Sequence, residues 1–145
     1  MKEKIFTVPD GTTIITNGMI PDDTTIVIIP EGVTEIGERA FWHCTSLKSV
    51  VISEGVTEIG EYAFSCCTSL KSIVIPEGVT KIGVGVFWGC TSLESVVLPE
   101  GVTEIGEGAF RECTSLKSVM IPEVVIPEGV TKICEDVFLG CDSHN

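Results

Sequence analysis

Histidine is nearly missing from this chain: His43 and His144 are the two it has. A Ser-His-Asp or Cys-His arrangement therefore has almost no base to draw on, with His43 in a variable surface position and His144 beside the last residue. Neither a glycine-rich phosphate loop nor a paired-cysteine metal knuckle is present. Basic residues are scarce as well. Nine Lys and Arg stand against 21 Asp and Glu, a formal net charge of −12, so the phosphate rows of nucleic acid or anionic lipid could not be neutralised. The acid surplus instead favours cationic partners or divalent cations and keeps a surface soluble. No apolar run approaches the roughly 20 residues of a membrane span. The start, Met1–Asp10, lacks the apolar stretch of a secretory leader. The expectation is a non-enzymatic chain with no catalytic residue, no metal and no cofactor. A hydrophobic fraction of 43% in 145 residues still gives enough apolar side chain for one folded domain.

What the sequence does have is repetition. The stretch Ile75–Val97 matches itself when shifted 23 positions either way. Pro30 recurs as Ser53, Pro76, Pro99 and Pro122; Phe41 recurs as Phe64, Phe87 and Phe110; Cys44 recurs as Cys67, Cys90 and Cys113. So short a fixed period means a solenoid, each unit being one turn that cannot bury its apolar face alone. Strands are expected at Leu47–Ile52, Leu70–Ile75, Leu93–Leu98 and Leu116–Ile121, each reading Leu-x-x-Val/Ile-x-Ile/Leu. Stacked about 4.8 Å apart they form a parallel sheet. Pro-Glu-Gly then stops the strand, and Val-Thr-Glu-Ile supplies a short second strand on the opposite side. In Glu-x-Ala-Phe-x-x-Cys, the residues Ala40, Phe41 and Cys44 fall on one face of a single helical or 3₁₀ turn. The Thr-Ser pairs that follow can satisfy loose backbone groups. Roughly 1.5–3 kcal/mol per buried large side chain does not let one turn offset its ordering entropy; a stack of turns does.

The chain divides into three stretches within a single domain. Residues 1–29 form a degenerate N-terminal cap or half repeat, with Asn17-Gly18 as a turn signal. Residues 30–121 hold four 23-residue repeats. Residues 122–145 hold a five-residue insertion, in which Ile-Pro-Glu is written twice, and a truncated last repeat. The expected C-terminal end is an uncapped strand edge, which invites pairing. Of seven cysteines, Cys44, Cys67, Cys90, Cys113 and Cys141 share one column, while Cys66 and Cys134 stand outside it. An odd number excludes complete internal pairing. The column reads as a ladder of small buried hydrophobes, and Cys66 as the exposed thiol.

The combined pattern Ile-Pro-x-x-Val-Thr-x-Ile-Gly-x-x-Ala-Phe-x-x-Cys-x-x-Leu-x-x-Val resembles the BspA-like class of leucine-rich repeats over about residues 30–141, and more loosely over 4–29. Departures are Ser53 for Pro, Val86 and Val137 for Ala, Cys134 for Gly, and the insertion. The resemblance implies a solenoid with a concave parallel β-sheet. It also implies a protein of the cell surface or secreted, of adhesin type, that binds host, matrix or neighbouring-cell proteins; without that resemblance the chain itself would read as cytoplasmic.

Candidate binding residues follow from the columns. The outward positions of the concave sheet are Lys48, Lys71, Glu94 and Lys117, then a serine row, then Val51, Val74, Val97 and Met120. A basic row, a small polar row and an apolar stripe side by side suit a partner's surface or an extended peptide, and also suit plain strand formation. Trp42, Tyr62 and Trp88 are candidate aromatic anchors, or else core packing of the convex side. Columns of glutamate (Glu31, Glu54, Glu77, Glu100, Glu128; Glu35, Glu58, Glu104; Glu38, Glu61, Glu107, Glu135) repel by about 1 kcal/mol or less per neighbouring pair in water. They read as a solvated rim, with weak calcium binding between turns as the sharper alternative. The leading function is a protein–protein interaction module with no nucleic-acid partner. The alternative is a structural, self-assembling array, fragment or consensus design, that forms homo-oligomers end to end.

Overall fold

The computed structural model describes residues 3–120 and the short strand Lys132–Ile133. The five-residue insertion, the rest of the last repeat and the open end expected there lie outside the described residues. So does the end-to-end pairing expected from them.

Each 23-residue period makes one turn of a parallel β-solenoid. Six strands line the concave face: β1 (Ile5–Thr7), β3 (Ile26–Ile29), β5 (Ser49–Ile52), β7 (Ser72–Val74), β9 (Ser95–Val97) and β11 (Ser118–Met120). Six two-residue strands line a second face: β2 (Ile14–Ile15), β4 (Glu35–Ile36), β6 (Glu58–Ile59), β8 (Lys81–Ile82), β10 (Glu104–Ile105) and β12 (Lys132–Ile133). All pairings are parallel, and equivalent repeat positions face one another, as in Ser95↔Ser118 and Ile36↔Ile59. Side chains at the repeat's apolar positions point into one core. Val50, Ile73 and Val96 come from the concave strands, Ile36, Ile59, Ile82 and Ile105 from the second face, and Leu47, Leu70, Leu93 and Leu116 from the strand starts; all are buried.

The third face differs from the expectation. The Glu-x-Ala-Phe-x-x-Cys segment is not helical; among the described residues the fold contains no helix. It is a run of tight turns, in which Ala40, Trp42 and Cys44 N–H donate to the carbonyls of Gly37, Arg39 and Phe41. The intervening amides of Arg39, Phe41 and His43 donate to Glu61, Ala63 and Ser65 of the next turn, at 2.7–3.0 Å. Amides committed to a neighbouring turn cannot build a helix of their own. The turns place two columns in the left-handed region: Arg39, Tyr62, Gly85 and Gly108, then His43, Cys66, Gly89 and Glu112, with φ between 57° and 78°. Glycine fits this geometry without penalty.

Phe41, Phe64, Phe87 and Phe110 are fully buried and stack with near-parallel planes, at centroid separations of 4.8, 5.6 and 5.4 Å. Beside them runs the cysteine ladder, whose thiols are more than small hydrophobes. Cys67, Cys90 and Cys113 S–H donate to the carbonyls of Phe41, Phe64 and Phe87 in the turn before, at 3.0–3.1 Å. Burial pushes the Cys44 thiol up to about 11 and Cys90 to about 12, and Cys67 well above the ordinary range. Cys66 alone among the described cysteines is half-exposed, as alternation led us to expect.

Four outcomes follow from this packing. Truncation of Phe87 to Ala removes a ring packed between two others, and should cost about 3–5 kcal/mol in urea unfolding. Glu112→Gly should be more stable than Glu112→Ala by about 1 kcal/mol, because alanine keeps the left-handed penalty and glycine removes it. The buried thiols stay protonated in the fold while unfolded thiols ionise from about pH 8.5. Their contribution is whole below that pH and falls as pH rises toward the folded value. For Cys90 the loss is about 1.4 kcal/mol per pH unit, so Cys90→Ala should flatten the alkaline limb of a stability–pH curve. Iodoacetamide at neutral pH should modify Cys66 before Cys44, Cys67, Cys90 or Cys113, read by peptide mass spectrometry.

Candidate functional site

The parallel register carries each outward residue into a row across the concave face. Val74 pairs with Val97, and Val97 with Met120; Ser72, Ser95 and Ser118 form the next row. On the other side, Thr7, Ile28 and Val51 align, as do Ile5, Ile26 and Ser49. Val51 and Val74 are 57% and 63% exposed, and Val97 is half-buried. The apolar stripe also runs further than the repeat suggested. Ile28 continues it, and Ile5, 60% exposed, begins the neighbouring row. These two escaped the sequence reading because the first turns lack the Leu-x-x-Val frame that fixes which strand positions face outward.

The lysines begin the strands. Lys48, Lys71 and Lys117 are exposed and Glu94 is half-buried. Lys48 is paired with Glu3 at 3.7 Å. The Thr25 hydroxyl, donating to the Glu3 carboxylate at 2.6 Å, and the nearby Lys48 charge hold that carboxyl below its ordinary range. Lys71 has no ion-pair partner among the described residues.

The third face gathers the aromatic candidates. Trp42 is 45% exposed, while Tyr62 and Trp88 are half-buried. The Arg39 guanidinium lies 5.9 Å from the Trp42 ring and 5.1 Å from the Tyr62 ring, Tyr62 and Trp88 are 6.3 Å apart, and Arg111 lies 4.7 Å from Trp88. Cation–π contacts between turns thus occupy much of these rings. With Ser65 and Cys66 they line a shallow depression of about 290 Å³. Gly85, which varies in the repeat and looks free, is constrained twice. It sits at φ 62°, and the Tyr62 ring lies where its Cβ would be.

The described members of the glutamate columns are exposed or half-exposed, and Glu35 faces Glu58 in register while Lys81 faces Glu104. Among the described residues, no three acidic, cysteine or histidine side chains converge closely enough to hold one metal ion. No helix there is long and apolar enough to cross a membrane.

One irregularity is invisible in the repeat. Both strand faces divide between the same two turns: the ladders run β1–β3–β5 and β7–β9–β11 on one face, β2–β4–β6 and β8–β10–β12 on the other. Between β5 and β7 the backbone contact is a long bond from Lys71 N–H to the Lys48 carbonyl, 3.5 Å. The glycine column reports the same opening. A Cβ at Gly37, Gly60 or Gly106 would come within 2.8 Å of the preceding turn's backbone, whereas at Gly83 the nearest such atom, the Ile59 carbonyl oxygen, is 3.9 Å away. The third face stays closed, with Tyr62, Phe64 and Cys66 N–H donating to Val84, Val86 and Trp88 at 2.8–3.0 Å. The seam is therefore a wedge, shut along the aromatic side. Its concave mouth is a groove of about 360 Å³ lined by Ser49, Val51, Ser72 and Val74, with Glu54 and Glu77 at one end. A second groove of about 320 Å³ opens on the other strand face beside Glu58 and Lys81.

Comparison with known proteins gives the geometry its family. A BspA-type leucine-rich repeat region, in six copies, matches residues 21–145. Among solved structures, a leucine-rich repeat protein of T. pallidum is 31% identical with a TM-score of 0.75, over 97% of this chain and 68% of its own. One from Bacteroides ovatus is 30% identical with a TM-score of 0.67, over 90% of this chain and 42% of its own. One from Eubacterium ventriosum is 25% identical with a TM-score of 0.67, over 96% of this chain and 43% of its own. The chain thus spans less than half the length of the last two. No curated protein matches it. With the repeat frame, the parallel ladders and these likenesses in agreement, the chain belongs to the BspA-type leucine-rich repeat family.

Proposed function

We propose that this chain is a non-enzymatic protein-binding module that engages a partner through its concave face, in the surface or secreted setting that the family resemblance implies. The observation that carries the reading is the pair Val51 and Val74. They are large apolar side chains more than half exposed on a sheet face, flanked by Lys48 and Lys71 in a chain of net charge −12. Exposed apolar patches with a polar border are characteristic of interaction surfaces. A partner would cover the valines, and the lysines would set its orientation through charge. The aromatic depression supports the reading less, because its rings are already stacked by Arg39 and Arg111.

The test is surface-based binding against a panel of purified extracellular-matrix proteins. The expected result is saturable binding to at least one, weakened about tenfold or more by Val74→Lys and by Lys71→Glu, with unchanged thermal unfolding. Affinity indifferent to both substitutions, or lost only on Trp42→Ala, removes the concave face from the function.

A further inference from the structure

We propose that the seam between β5 and β7 is the recognition point on this face, and that its occupant is an extended peptide segment of the partner, carrying an apolar side chain over Val51 and Val74, a carboxylate at one end and a cation at the other. The inference rests on the concave-face reading above and narrows it to one turn boundary.

Three observations meet at the seam. The first is unused backbone. The Ser95 N–H of β9 donates to the carbonyl of Lys71, just before β7, and the Ile75 N–H, just after β7, donates to the Val97 carbonyl of β9. Alternation along a parallel strand therefore turns the N–H and C=O groups of Ser72 and Val74 toward β5. No ladder with β5 receives them. Main-chain groups at an open strand boundary are what an added extended chain pairs with. The second is apolar surface. Val51 and Val74, which border the seam, are the two most exposed valines of the face, and the groove between them is mostly apolar. The repeat register sets the two valines side by side at one level of their strands, so a single outward residue of a segment lying along the seam covers both, and the outward residue two positions away lies over Ser49 and Ser72.

The third is charge. Lys71 stands unpaired at one end of the seam, beside Lys48, and Glu54 and Glu77 close the other. Lys71 to Glu77 is seven residues, so at roughly 3.3 Å per residue a peptide of about six spans the distance. A segment with opposite charges at its ends matches both sites at once, and one with two like ends meets repulsion at one of them. β5 and β7 still lie side by side, so the segment enters by widening the seam. Opening costs few backbone bonds on the strand faces, while the Tyr62, Phe64 and Cys66 bonds on the third face keep the two halves joined.

The probe is the blocked, fluorescently labelled peptide Glu-Val-Thr-Val-Thr-Lys, titrated with the whole chain and read by anisotropy. Saturable binding is expected. It should weaken at least tenfold with Val74→Lys or Lys71→Glu, and severalfold when both peptide ends are Glu. It should change less than twofold with Val97→Lys, one strand beyond the seam. No saturation at millimolar protein, or equal losses from Val97→Lys and Val74→Lys, overturns the inference. Amide hydrogen exchange gives a readout that does not need the peptide. The Ser72 and Val74 amides should exchange at least tenfold faster than those of Ser95 and Val97, and should slow on saturation with peptide. Equal exchange rates mean a closed seam and also overturn it. If matrix-protein binding depends on Val74 while the peptide does not bind, the seam assignment fails and the binding-module reading stands. If neither binds, both fail.

Discussion

Four stacked phenylalanine rings set the pitch on which everything else in this molecule depends. A ring buried between two others cannot move along the axis without opening a void, so each turn must return to the same height and rotation. The thiol ladder beside them fixes the same spacing with directional bonds, each cysteine reaching the phenylalanine carbonyl of the turn before. Once the pitch is set, identical repeat positions must face one another, and the strand registers follow. The core ladder therefore arranges the surface. It carries Ser49, Ser72 and Ser95 into one row across the concave face and Val51, Val74 and Val97 into the next.

The third face shows what this arrangement asks of the backbone. Its amides serve two directions alternately, one closing a tight turn and the next reaching the following turn. That alternation requires left-handed residues at two positions per repeat, and five of the eight are not glycine. Left-handed conformations cost each of them on the order of 1–2 kcal/mol, which inter-turn hydrogen bonds and the burial of the neighbouring phenylalanine offset. Arg39 and Tyr62 gain from the position as well. The geometry that strains them also aims them along the axis, where guanidinium and ring stack.

How much of this could be read beforehand depended on whether a feature lives within a repeat or between repeats. The strands, the buried leucines and the phenylalanine column were legible because each is a periodic choice of residue type. The outward concave rows were legible for the same reason from Lys48 onward, and illegible at Ile5 and Ile28, where the frame has decayed. The tight turns were misread because residues at i, i+1 and i+4 share a face in a helix and in this turn series alike. The better signal lay in Gly85, Gly89 and Gly108, which mark positions where a helix has no use for glycine. Gly85 itself could not be interpreted alone, since the ring that constrains it comes from Tyr62, one turn earlier.

The seam was beyond the sequence for a deeper reason. The residues on both sides of it obey the repeat, and Ser53, the nearest departure, bonds backward to the Pro30 carbonyl rather than across the gap. A stack of near-identical units has near-identical boundaries, so its total stability is a sum of similar terms. In such a sum a small difference at one boundary decides where the stack opens first. Here the third face keeps its inter-turn bonds across that boundary while the two strand faces do not. The opening is thereby directed toward the face that carries Val51, Val74 and Lys71. Local stability in a solenoid can then be lowest where binding is required, because a partner that supplies the missing backbone bonds stabilises the open boundary rather than competing with a closed sheet.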